Sequence, residues 1–129
     1  MSWELYDYRD NRGTNDIKSW TQALQKDQRA KLALRLDMLQ QNGSDLSTGV
    51  FSDTKMPHIK KIRIGGKVAV RLMLCRGPIN NNSEFTLLLG AIEKDRKLIP
   101  KDAEKLAELR RQEIITDPIN KRCLHERVK

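Results

Sequence analysis

Hydrophobic residues in this chain fall into two periods, and the change from one to the other lays out its elements. Trp3, Leu5, Tyr6 and Tyr8 open a short β-prone stretch, read as an edge strand, before the turn chemistry of Asn11–Thr14. Thr14 or Asn15 then caps a helix whose apolar stripe is Ile17, Trp20, Ala23 and Leu24. A break near Lys26–Asp27 separates it from a second helix, with Ala30, Leu32, Ala33, Leu36 and Leu39 on its apolar side. Leu34 and Met38 widen that stripe, which predicts the better-buried helix of the two, and Gly43 stops it.

Residues 44–57 are loop-like. Alternation then returns in HIKKIRIGGKVAVRLMLCR, a β-hairpin. A three-residue turn at Gly65-Gly66-Lys67 sets Ile64 opposite Val68, Ile62 opposite Val70 and Arg63 opposite Ala69. One face then carries Ile62, Ile64, Val68, Val70, Leu72 and Leu74, and the other carries Lys61, Arg63 and Arg71. Gly77–Ser83 is a second turn. Glu84–Glu93 is a third long strand, apolar enough to be central.

EKDRKLIP leads through Pro100 into a helix with Ala103, Leu106, Ala107 and Ile114 at helical spacing, and Asp117-Pro118 ends it. The expected architecture is α+β: a small curved antiparallel sheet with two N-terminal helices and one C-terminal helix packed on one face. Its boundaries are a single domain over 1–118 and a basic, irregular tail over 119–129.

Charge sharpens the picture. The 129 residues carry a formal net charge of +8, and the segment between Thr54 and Gly77 holds seven basic residues and no acidic one. A cationic sheet face over an apolar core suits a polyanion. Aromatics are 5% of the chain and none lies among the hairpin's basic residues. That weighs against a single-strand binder built on stacked bases. The apolar runs fall short of membrane-spanning length and the polar start is not signal-like, so the expectation is a soluble, cytoplasmic protein without membrane contact. Cys75 reads as a small buried thiol, and Cys123-x-His125 matches no standard zinc spacing.

The order of elements and the segments KIRI, VAVRLMLCR and FTLLLGAIEKDRKLIPKDAEKLAELRR resemble the RelE/HigB-type toxins of type II toxin–antitoxin pairs, in particular their phage-derived HigB-like branch. Arg63 and Arg71 fall on the two arginines of the pattern, Phe85–Gly90 on its apolar strand, and Lys97, Pro100 and Ala103 on the segment after it. The likeness spans roughly residues 15–115. It implies a ribosome-dependent mRNA endoribonuclease that works by 2′-hydroxyl attack, without metal or other cofactor. Its implied partners are the ribosome, mRNA and a cognate helix-turn-helix antitoxin.

Under that implication Arg71, Arg63, Lys61 and Lys94 are the catalytic candidates, since guanidinium and ammonium groups stabilise a phosphorane. Lys60, Lys67, Arg76, Arg96 and Lys97 are the substrate-binding candidates. The reading requires Lys61, Arg63 and Arg71 to project together, with Arg71 free of a buried carboxylate. The proton-transfer pair stays open: His58, Glu93, Asp95, His125, Lys61 and Lys94 are all candidates, because no Tyr or His lies between Gly77 and Asn120. The alternative is a toxin-fold protein without nuclease activity that acts by binding, as a ParE-like gyrase inhibitor or a phage-encoded inhibitor or adaptor.

Overall fold

The computed structural model describes residues 3–43, 51–66 and 68–127. In chain order the elements are β1 (Glu4–Tyr8), α1 (Asp16–Gln22), α2 (Lys26–Asn42), β2 (Ser52–Asp53), β3 (Lys60–Ile64), β4 (Ala69–Arg76), β5 (Glu84–Lys94), β6 (Lys97–Ile99), α3 (Ala103–Thr116), α4 (Pro118–Lys121) and β7 (Arg122–Leu124). The class is α+β. The sheet runs β2-β3-β4-β5-β1-β7, with β6 also on β5.

β5 is the spine. β4 lines one of its edges from Phe85 to Glu93, while β1 and β6 share the other, β1 against Glu84–Leu87 and β6 against Ile92–Lys94. β1 is therefore no edge strand. It runs parallel to β5 and takes β7 on its outer side, so the sheet is mixed rather than antiparallel. The C-terminal residues, expected to be irregular, supply α4 and β7 instead.

The hairpin register differs from the expected one by two residues. Ile64 faces Val70, Arg63 faces Arg71 and Ile62 faces Leu72. A shift of two leaves every side chain on its expected face, because the strand period is two. Between Met73 and Leu74 the β4–β5 ladder slips, Met73 pairing Leu89 and Leu74 pairing Leu87. The extra residue, Leu88, is a β-bulge, and it turns Leu88 and Leu89 toward the same face.

The helices lie on both faces, not one. α1 and α2 bury Ile17, Leu32, Leu36 and Leu39 against Ile62, Ile64, Val70, Leu72, Leu74, Phe85 and Leu87. α3 buries Ala103, Ala107 and Ile114 against Ile59, Met73, Cys75, Leu88, Leu89 and Ala91 on the opposite face. Leu34 and Met38 point to solvent, so the stripe of α2 is narrower than expected.

The ends of these helices have local causes. Asn15 caps α1 by accepting from the Lys18 amide at 3.0 Å. Gly43 ends α2 at φ +59°, where a Cβ would stand 2.1 Å from the Trp3 indole nitrogen, so only glycine fits. Pro100 does not sit in the first turn of α3. EKDRKLIP is instead a β5–β6 hairpin whose two turn residues, Asp95 and Arg96, have φ of +53° and +65°, and α3 starts at Ala103. No described helix is long and apolar enough to cross a membrane.

Candidate functional site: a basic groove

α3 covers only part of its face of the sheet. Beyond its N-terminus the face stays open, and the β5–β6 hairpin and the Lys55–Met56 loop wall it into a groove of about 1190 Å³. Five of the nine expected site residues line it: Lys61 from β3, Arg71 from β4, and Lys94, Arg96 and Lys97 from the β5–β6 hairpin. Three cations outside the expected site set join them: Lys55, one of the seven basic residues between Thr54 and Gly77, and Lys101 and Lys105. Lys101 and Lys105 are four residues apart across the start of α3, a spacing visible in the sequence. What was not visible is that this helix start meets the hairpin. The groove also holds Glu93, Asp95, Asp102 and Glu104, leaving a local excess of four positive charges.

The other four candidates lie elsewhere. Arg63 is exposed on the same face, directly across from Arg71, but outside the groove. Lys60 projects to the α1/α2 face and pairs with Asp53 at 2.5 Å. Arg76 is also on that face, with its guanidinium carbon 5.5 Å from the centre of the Trp3 ring and its Nε donating to the Asn81 carbonyl. Their even positions in β3 and β4 put them there. Lys67 lies outside the described residues.

Arg71 departs most from expectation. Its side chain is 7% exposed; Nη2 donates to Glu93 Oε2 at 2.5 Å and Nη1 to the Val70 carbonyl at 3.0 Å. The register explains the partner. Glu93 stands opposite Ala69, two residues before Arg71 and on the same face, so it is the diagonal neighbour that a long side chain reaches. Lys61, Arg63 and Arg71 do share one face, yet they are not three free cations. Arg71 is neutralised at the groove floor, and a guanidinium held this way has no open fork for a phosphate.

No family model, curated protein or solved structure matches this chain.

The proton-transfer candidates are also separated. The groove is lined by no histidine or tyrosine among the described residues; His58 is exposed and outside it. His125 is on the far side of the sheet, with Nδ1 2.8 Å from Asp7 Oδ1. Only Glu93, Asp95, Lys61 and Lys94 of that set border the groove. Arg110 and Arg111 of α3 are engaged with other residues of the fold. Arg110 donates to Asp16 at 2.9 Å and to the Leu88 carbonyl at 2.8 Å, and Arg111 to Glu108 at 2.9 Å.

Proposed function

We propose that the chain is a toxin-type protein of the RelE/HigB kind that acts on RNA by gripping its phosphate backbone in the basic groove. The observation that carries this reading is the convergence of lysines from four separate segments — the loop before β3, β3 itself, the β5–β6 hairpin and the start of α3 — on one open concavity. Clustered cations in a concave, partly apolar site focus field and release counterions from a bound polyanion. Among the described residues no aromatic ring lines the groove, which favours contact with the backbone over stacking on bases.

Binding, rather than cleavage, is the reading this geometry favours. The Arg71–Glu93 pair takes up the guanidinium expected to clamp a phosphorane. A second reading has its own support. Glu93 is 35% exposed and touches the groove, so its carboxylate is placed to accept a 2′-hydroxyl proton while Arg71 holds it and Lys61 or Lys94 protonates the leaving oxygen. In both readings ribosome-bound mRNA is the expected target and a helix-turn-helix antitoxin the expected partner, on the resemblance of the sequence to those toxins.

Binding of a short labelled RNA over a salt series tests the first reading. An excess of four charges sets a log–log slope of roughly −3 for a single strand. The charge reversals Lys97→Glu with Lys101→Glu should flatten it and weaken binding severalfold. Unchanged affinity in that variant would refute the groove. Mapping mRNA ends after induction decides between the readings: new ends that disappear with Glu93→Gln establish cleavage, and growth arrest with intact mRNA establishes binding.

A further inference from the structure

A second pocket, of about 250 Å³, opens on the other side of the sheet, between α2 and the C-terminal segment. Its walls are apolar, Leu32, Ala33 and Leu36, and its polar edge is formed by His125, Gln40 and Arg29. The histidine is unusually well placed. Its Nδ1 lies 2.8 Å from Asp7 Oδ1, the side chains are 8% and 1% exposed, and the other Asp7 oxygen accepts from Asn15 Nδ2 at 2.9 Å.

In the tautomer that donates Nδ1–H to Asp7, Nε2 carries the lone pair and is an acceptor. Nε2 has no hydrogen-bond partner among the described residues. His125 lines the pocket, with its Nδ1 turned to Asp7.

This arrangement specifies a ligand class. The pocket is smaller than the roughly 300 Å³ at which sites for drug-sized ligands begin, so it takes one ring system and not a peptide segment. Its flat sides are aliphatic. Its edge presents an acceptor at Nε2 and a donor and an acceptor at the Gln40 amide. Of the two lining guanidinium groups, Arg127 pairs with Asp37 at 3.0 Å on the surface and Arg29 donates to the Gln22 carbonyl at 3.2 Å. We propose that this pocket binds a single nucleobase-class heterocycle, with His125 Nε2 accepting an N–H from its edge and Arg29 facing any attached phosphate. The proposal is independent of the basic groove, which lies across the sheet.

The test uses the full chain with labelled histidine rings, titrated with adenosine, guanosine, cytidine and uridine 5′-monophosphates and followed by ring ¹H–¹⁵N NMR. Saturable shifts at His125, with His58 unmoved, are expected for at least one nucleotide. Ala33→Leu fills the pocket from α2 and leaves the Asp7–His125 pair intact, so it should weaken that binding at least tenfold while the Nδ1–H tautomer signature persists. Gln40→Ala, which removes an edge partner without adding bulk, should weaken it as well and serves if Ala33→Leu is poorly folded. The idea is overturned if no nucleotide moves His125 up to about 10 mM, ten times a weak dissociation constant of about 1 mM. Shifts that survive both variants, or that inorganic phosphate alone reproduces, overturn it equally.

Discussion

Glu93 is the more exposed partner of Arg71, yet its removal should damage the fold more than removal of the arginine. The side chains are 35% and 7% exposed respectively. In Glu93→Ala the guanidinium remains at the groove floor with only the Val70 carbonyl as acceptor, a buried charge stripped of its counter-ion. Breaking a buried pair this way costs about 3–5 kcal/mol. In Arg71→Ala the orphan is a carboxylate that already touches water and can turn toward it. The loss is then mainly the packing of the arginine stem, about 1–2 kcal/mol.

Urea unfolding followed by tryptophan fluorescence reads the difference. With a slope of about 2 kcal/mol/M, Glu93→Ala should lower the midpoint by about 2 M and Arg71→Ala by less than about 1 M. The same Glu93→Ala protein adds one net positive charge to the groove, so its RNA salt slope should steepen by about 0.7. If Arg71→Ala proves the more destabilising change, the pair is not the buried-cation device described here.

Gly90→Ala should destabilise by about 1–3 kcal/mol, because the added Cβ would lie 2.0 Å from the Trp20 ring; a thermal melt with a shifted tryptophan emission checks it. The Tyr8 phenol is pushed up to about 12, first by burial and then by the neighbouring Glu113 carboxylate. The folded state thus favours the protonated phenol, and its contribution to stability, full below pH 10, should fade between pH 10 and about 12; Tyr8→Phe should remove that alkaline loss in pH-dependent denaturation. Burial raises the Cys75 thiol to about 12 as well, so a thiol reagent should find no reactive Cys75 in the native protein, while Cys123 reacts slowly and both react in denaturant. Fast native modification of Cys75 would contradict its placement beneath α3.

Local periodicity was enough to reveal most of the elements. The break between α1 and α2, the Gly43 stop and the two faces of the β3–β4 hairpin could all be read, because each depends on residues within a few positions of one another. The charged EKDRKLIP segment misled, since the left-handed turn at Asp95-Arg96 carries no glycine or asparagine to announce a hairpin. The candidate site was half legible for the same reason. Alternation placed Lys61, Arg63 and Arg71 on one face, but it says nothing of a carboxylate that arrives from the next strand.

From its sequence alone this chain is committed to an α+β protein with a basic hairpin over an aliphatic core. Long-range pairing decided the rest: β1 running parallel within the sheet, the C-terminal residues becoming β7, α3 packing on the face opposite α1 and α2, and Arg71 meeting Glu93. The physical reason is one of range. Side-chain period reports which face a residue occupies, whereas strand order and layer are set by contacts between segments that can lie more than a hundred residues apart, as Tyr6 and Leu124 do, and those contacts choose which charges are free to bind and which are consumed by the fold.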